Sequence, residues 1–250
     1  MRVERITRYP VKGLSPEQME EVDLRPGAGL PHDRRFAFAQ GDSAFDPAAP
    51  AWLPKRNFAC LMANARAAAI HSAYDPRAGV LSLRAEGMAP LLADLADPAG
   101  RDAAAAWITA FMGEEARGAL RLAEVEGHAF TDIPDKAVSI IGLASVAELG
   151  DRAGMALDPV RFRANILFSG DAPFAELDWV GREMLLGRAR LRVFKRTRRC
   201  PATEVNPATA ERDARPPKWL VEQYGHADMG VYATVVEGGL VAVGDALELV

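Results

Sequence analysis

The apolar residues of this chain come in short runs, and nearly every run ends in turn chemistry. Only one segment sustains a helical period over several turns. The 250 residues hold 21 glycines and 17 prolines, and many of these stand where an apolar run stops. Such punctuation restricts the fold to many short strands joined by turns, with a few helices at the periphery.

In the first third, Val3 to Val11 reads as a strand ending in Tyr9-Pro10-Val11-Lys12-Gly13-Leu14. Met19 to Leu24 partly alternates, Pro26-Gly27-Ala28-Gly29 is a turn, and Phe36-Ala37-Phe38-Ala39 is a further strand. Ala65 to Tyr74 and Val80 to Arg84 flank Asp75-Pro76-Arg77-Ala78-Gly79, the pattern of two strands and a hairpin connection. Ala96-Asp97-Pro98-Ala99-Gly100 has linker composition and sets an expected boundary near residue 100.

Arg101 to Met112 follows, with Trp107, Ile108 and Phe111 at helical spacing and Gly113 as a stop. A second short helix is expected over Ser145 to Arg152, with Ser145 as N-cap and Glu148 completing a capping box. The last third returns to strands: Asn165 to Phe168, Met184 to Leu186 and Arg188 to Phe194. Pro217 to Tyr224 reads as a helix closed by Gly225. Gly230 to Val236 and Leu240 to Val243 read as a hairpin, and Ala246 to Val250 as a final strand. The expected architecture is β-rich α+β and barrel-like, with peripheral helices. No internal repeat and no glycine-rich strand-to-helix loop of a dinucleotide fold is present.

Charge and composition remove several function classes. The net charge of -4 gives no general electrostatic case for nucleic acid or an anionic membrane. No stretch approaches the ~20 apolar residues of a bilayer span, and Met1 to Ile6 shows no signal-peptide core, so a cytoplasmic location is the expectation. Two cysteines, Cys60 and Cys200, make no disulfide framework, and His32, His71, His128 and His226 are scattered without zinc-site spacing.

The stretch richest in chemistry runs from Lys195 through Arg196-Thr197-Arg198-Arg199-Cys200-Pro201-Ala202-Thr203-Glu204-Val205-Asn206 to Pro207. Seven of the twelve residues from 188 to 199 are Lys or Arg, and Cys200 follows directly. Nearby cations favour a thiolate, the form that ligates a metal, and arginines suit an anionic ligand. Arg188, Arg190 and Arg192 alternate with Ala189, Leu191 and Val193, the pattern of a half-buried strand with a solvated face. Arg198 and Arg199 break that alternation beside Cys200. Taken alone, a lone cysteine is more often buried structure than a ligand.

The segment from Cys200 to Thr209 resembles the signature of the MOSC-domain family: Arg-Cys, a threonine shortly after, then an acidic or amide residue before proline. Further matches stand in the family's order. Val160-Arg161-Phe162-Arg163-Ala164-Asn165-Ile166 is similar to its Arg-Phe-Arg-x-Asn motif, followed by Phe174-Ala175-Glu176 and Trp179. Tyr224-Gly225-His226, Gly230-Val231-Tyr232 and Val241-Ala242-Val243-Gly244-Asp245 look like its closing strands. Tyr9-Pro10-Val11-Lys12-Gly13 and Gly29-Leu30-Pro31-His32-Asp33-Arg34-Arg35-Phe36 resemble the β-barrel domain that precedes it.

The resemblance implies an N-terminal β-barrel domain over residues 1–100 and a MOSC domain over residues 101–250. It implies a molybdenum cofactor, a metal held by a pterin dithiolene (Mo-molybdopterin), with Cys200 as the protein ligand and catalytic residue. It further implies cofactor contacts from Lys12, Arg34, Arg163, Asn165, Arg198 and Arg199. Four of them have a blander reading: for Lys12 an exposed lysine ending a strand, for Arg34 an ion pair with Asp33 or a neighbouring carboxylate, and for Arg163 and Asn165 satisfaction by local backbone. Two positions depart from the family pattern, Gly13 where many relatives have serine and Asn206 before Pro207 where aspartate is usual. Cys60 matches no motif and reads as buried structure.

Three functions follow. One is a reductase of N-hydroxylated small molecules, with electrons from a separate donor protein, since the chain has neither iron–sulfur cysteine spacing nor a flavin fingerprint. The second is a carrier of the cofactor, or of sulfur as a Cys200 persulfide; no pyridoxal-phosphate lysine site is recognisable. The third is a two-domain β protein without redox chemistry. Nucleic acid and membrane are not expected partners.

Overall fold

Alternation is cleanest between residues 188 and 193, and the computed structural model, which describes residues 1–250, builds its largest sheet around that segment. The first half holds β1 (Arg2–Arg8), β2 (Glu17–Met19), β3 (Glu21–Leu24), β4 (Phe36–Ala39), β5 (His71–Asp75), β6 (Val80–Arg84), β7 (Leu91–Asp94), α1 (Pro98–Met112) and β8 (Arg121–Glu124). The second half holds β9 (Val138–Gly142), α2 (Leu143–Ala153), β10 (Ile166–Ser169), β11 (Glu183–Leu186), β12 (Ala189–Arg198), α3 (Pro216–Tyr224), β13 (Asp228–Glu237), β14 (Gly239–Ala242) and β15 (Leu247–Leu249).

Eight strands pair in the order β15-β11-β12-β13-β9-β10-β1-β2. All neighbours are antiparallel except β9 and β10. The sheet curls until its ends meet. The Val3 amide donates to the Asp245 carbonyl at 2.9 Å, Gly244 to Val3 at 2.8 Å and Leu247 to Met1 at 3.0 Å. Closure leaves few unpaired backbone groups along these strands.

Side chains of one parity fill the inside: Val3, Ile6, Ile140, Ile166, Met184, Leu191, Val193, Val231 and Ala233 share one buried cluster. Ile141 and Leu167, of the opposite parity on their strands, and Met229, which lies beyond a register shift in β13, pack with Val146 and Leu149 of α2 and Leu220 of α3. The helices therefore cover an outer face of the barrel, as the period of two requires. Arg190 and Arg192 point outward and pair with Glu183, while Ala189, Leu191 and Val193 are fully buried; the solvated-face reading holds for these arginines.

A second core belongs to the first half. Phe36, Phe38, Leu81, Leu83 and Ala93 pack against Ala104, Ile108, Phe111 and Met112 of α1. β5, β6 and β7 form one sheet and β4 pairs with β8. On the other side of β4, an aromatic cluster joins Phe45, Phe58 and Phe130. The two halves interlock. β1 and β2 belong to the barrel of the second half, and β14 of the second half pairs with β3.

Four expectations need correction. Residues 96–100 are not a linker: Asp97 accepts from the Ala99 amide at 3.0 Å and Pro98 occupies the first turn, so they open α1. Ala65–Ala69 is a 3-10 turn, and the strand begins only at His71; an alanine run offers no β-branched surface to a sheet. Ser145 is not an N-cap. The helix begins at Leu143, and the buried Ser145 hydroxyl donates to Glu176 instead. Finally, β13 and β14 are not a hairpin, because β14 leaves to pair with β3. The glycines between them allow the departure: a Cβ at Gly238 would lie 2.7 Å from the Leu24 carbonyl oxygen, and one at Gly239 would lie 2.5 Å from that of Arg188.

Candidate functional site

The alternation of β12 breaks near its end. Register against β13 shifts between Val193 and Lys195 and again between Arg196 and Arg198. After these bulges Thr197 and Arg199 are buried, Arg198 is exposed and Cys200 is half-buried. A bulge of this kind re-aims side chains at the rim of a barrel. Cys200 then opens a 3-10 turn, Pro201–Glu204. Its carbonyl accepts from both the amide and the hydroxyl of Thr203 at 3.0 Å, which fixes the backbone that carries the sulfur.

Arg199 anchors the segment from beneath. Its Nε donates to the Met229 carbonyl at 2.7 Å and its Nη1 to that of Phe162 at 2.9 Å. Its Nη2 is buried without a partner. The guanidinium fits because residue 230 is glycine: a Cβ there would stand 2.9 Å from Nη2. Burial lowers the Arg199 pKa from its usual value.

The sulfur of Cys200 has one cation beside it, and it comes from the other half of the molecule. Lys55 Nζ lies 3.1 Å from Sγ and donates at 2.7 Å to Asp132 Oδ2. The other Asp132 oxygen accepts from Lys12 at 2.6 Å, and Lys12 also donates to the Phe130 carbonyl at 2.9 Å. Burial opposes the Lys55 charge, but Asp132 and Cys200 outweigh it and raise its pKa. Burial likewise opposes the Asp132 carboxylate, and the two lysines hold it well below the usual carboxylate range. Both signs are those of charges that stabilise each other.

A second group surrounds Tyr9. The guanidinium of Arg34 lies 4.4 Å and that of Arg163 4.1 Å from the centre of its ring, within cation–π range. Arg34 has φ 47° and Arg163 φ 52°, a strained conformation for side chains of this size. Arg34 pairs with Asp33 and donates to the Arg163 carbonyl at 2.7 Å. Arg163 donates to the Leu14 carbonyl at 2.8 Å, while its Nη2 is buried and unpartnered. Burial, and then Arg34, bring the Arg163 pKa down to about 10, still charged at neutral pH. Asn165 is fully engaged by the fold. Its Oδ1 accepts from the amide and hydroxyl of Ser139 at 3.0 and 2.8 Å, and its Nδ2 donates to Thr7 at 3.1 Å.

Tyr9 apart, the site side chains described above line one cavity, open at its mouth. Lys12, Arg34, Arg163, Asn165, Arg198, Arg199 and Cys200, read from the sequence as site residues, are brought together there. Cys60 is 5% exposed and also forms part of the wall. Seven cationic side chains face three carboxylates around the cavity, in a chain whose net charge is -4. Such a concentration focuses positive potential on a small volume. Four buried polar atoms of lining residues lack hydrogen-bond partners within the protein: Arg161 Nε, Arg163 Nη2, Arg199 Nη2 and Thr197 Oγ1. Buried donors without acceptors are rare, and a cluster at a cavity marks a place prepared for a polar ligand.

Sequence reading missed Lys55 and Asp132, which touch the chemistry most directly. Lys55 stands in a proline-bounded loop and Asp132 in Thr131-Asp132-Ile133-Pro134-Asp135, with no periodicity or spacing to flag either. Tyr9 and Tyr232 lay within motifs but had no assigned role. Arg212 was also missed. Its Nη2 donates to the carbonyls of Leu61 and Met62 and its Nη1 to that of Pro201, tying the two cavity walls together.

Residues 1–116 match the family model of the MOSC N-terminal beta barrel domain, and residues 125–248 match that of the MOSC domain. The chain is 27% identical over 182 residues to mitochondrial amidoxime-reducing component 1 of Homo sapiens, covering 60% of this chain and 52% of that protein. It is 28% identical over 173 residues to mitochondrial amidoxime reducing component 2 of Bos taurus, covering 58% of this chain and 50% of that protein. The chain thus spans about half the length of the curated relatives it matches. Among solved structures, the YUAD protein from Bacillus subtilis superposes over 99% of this chain and 94% of that one, with 15% identity and a TM-score of 0.47. No helix of the protein is long and apolar enough to cross a membrane.

Proposed function

The chain belongs to the MOSC family, and from that premise we propose that it binds the molybdenum cofactor through Cys200 and reduces N-hydroxylated small molecules, drawing electrons from a separate donor protein. The observation that carries the reading is the cavity itself: a half-buried thiol beside a lysine, ringed by cations, with buried donors lacking partners.

The residues fit such a group. A pterin with a phosphate and a dithiolene presents anionic oxygens, polar ring edges and soft sulfur, and the cavity offers guanidinium groups, free donors and a thiol. Cys200 would supply the protein's sulfur ligand. Arg34, Arg163 and Arg198 would face the anionic end, and the unpartnered Arg163 Nη2 has a donor to give. Lys12 would fix Asp132, and Arg199 would hold the Cys200 backbone from below. When bound, the cofactor supplies a two-electron centre for cleaving an N–O bond, and the chain positions and charges its surroundings. With two cysteines in all, the chain carries no cluster-binding pattern of its own, so the reading includes an external donor.

The test is molybdenum and pterin analysis of protein made in a host competent for cofactor synthesis, wild type beside Cys200→Ala. Near-stoichiometric molybdenum in the wild type alone, followed by turnover of an amidoxime with an added electron donor, is expected. Equal metal in both proteins refutes the ligand assignment. Absence from both, with labile sulfur on Cys200, replaces the reading with a sulfur carrier.

A further inference from the structure

Lys55 and Asp132 are held from their roots by the same packing. Phe58, three residues after Lys55, and Phe130, two residues before Asp132, stack edge-on with ring centres 5.1 Å apart, and Phe45 meets both. The Lys55 carbonyl accepts from the Phe58 amide at 3.0 Å, and Asn57 is tied through its carbonyl to the Gln40 amide at 2.9 Å. The backbones bearing the two side chains therefore belong to one aromatic cluster of the first half, not to loose loops. At the other end, Asp132 has a lysine on each oxygen, so it cannot turn without losing an ion pair. Lys55 is left with one direction for its ammonium, toward Cys200.

We infer that Lys55 is a positioning residue for Cys200: it brings a fixed positive charge from the first half of the molecule to a sulfur carried by the second, with Asp132 as its anchor. The inference deepens the proposed function and, in making that sulfur a metal ligand, rests on it. An ammonium is a compact point charge, suited to sitting beside sulfur without the flat fork of a guanidinium. Holding four carbon–carbon bonds of a lysine in one arrangement costs entropy, which the paired Asp132 contact offsets. The sulfur then meets an incoming ligand with its cation already in place.

The test uses the full chain made without cofactor. Alkylation of Cys200 by anionic iodoacetate and by neutral iodoacetamide is compared at a single pH, with peptide mass spectrometry separating it from Cys60. A cation held beside the sulfur draws in the anionic reagent and not the neutral one, so Lys55→Met should lower the iodoacetate-to-iodoacetamide rate ratio by about fivefold, and Lys55→Arg should recover most of it. Lys55→Gln takes the place of Lys55→Met if the latter does not fold. Equal ratios in the folded wild type and in the folded Lys55 variant without the charge overturn the inference, whatever the molybdenum content. If the wild type retains no molybdenum in a competent host yet the contrast in ratio persists, the cofactor reading falls and the hold of Lys55 on the sulfur stands.

Discussion

Gly230→Ala should be far more damaging than its size suggests, and the structure says why. Gly230 has φ 76°, and a Cβ there would stand 2.6 Å from the Ile140 carbonyl oxygen and 2.9 Å from Arg199 Nη2. The carbonyl belongs to β9, which pairs with β13 through Ile140 and Val231, so it cannot retreat without opening the barrel. Gly225 is the matched control, also at φ 76° but with nothing within 4 Å of an added Cβ. A left-handed alanine costs roughly 1–2 kcal/mol, partly offset by the stiffer unfolded chain, so Gly225→Ala should cost about 1 kcal/mol. Overpacking against rigid backbone adds about 1–3 kcal/mol at residue 230, for a total of about 2–4 kcal/mol. For a chain of this length that corresponds to a loss of about 5–15 °C in melting temperature, against about 2–4 °C for the control. Thermal unfolding followed by circular dichroism measures both. Equal losses at the two positions would refute the argument that close approach, rather than backbone conformation alone, requires glycine beneath Arg199.

Two further predictions concern buried polar groups. Glu176 is fully buried, and burial raises its carboxyl pKa despite the hydrogen bonds from Ser145 and Gly142; an acid with a raised folded pKa contributes stability below its unfolded pKa of about 4.3 and loses it as pH rises through the folded value. Denaturant titrations across pH 4 to 8, roughly that window, should show this decline in the wild type and a flatter profile in Glu176→Gln; parallel profiles would rule the group out. Asn165→Ala strands the Ser139 amide and the Thr7 carbonyl between three strands and should cost roughly 2–4 kcal/mol in urea unfolding of cofactor-free protein. A loss seen only with cofactor bound would instead make Asn165 a ligand contact.

The barrel was legible because β strands advertise themselves through parity. Leu191 and Val193 against Arg190 and Arg192 declare an inside and an outside, and the buried cluster keeps that division. Cys200 was legible for a different reason: it follows a run of cations where the alternation fails, and that failure is the bulge that turns β12 toward the cavity. What parity cannot express is partnership. Nothing in Leu240 or Val241 says that β14 will pair with β3 rather than with the preceding strand. Ser145 has the residue type of a cap, but its hydroxyl serves a carboxylate 31 positions away. Lys55 and Asp132 were hidden for the same reason. Each is an ordinary charged residue in an ordinary loop until the aromatic cluster of Phe45, Phe58 and Phe130 brings the two loops together. Local pattern reports which face a side chain takes; meetings across long sequence separations are set by packing, which no short window contains.

Closure of the barrel through β1 also sets an order of events during synthesis. Val3 pairs with Phe168 and Ile6 with Ile166, and the Val3 amide reaches Asp245. β1 is made well before β10 and must therefore wait, paired on one side with β2 and open on the other, until β10 has emerged, and the seam waits longer still, for Asp245. Meanwhile the core of α1 with β5, β6 and β7 draws on residues already made and can form first. So high a contact order predicts slow maturation of the barrel, with the exposed edge of β1 as the segment most in need of protection by a chaperone while it waits.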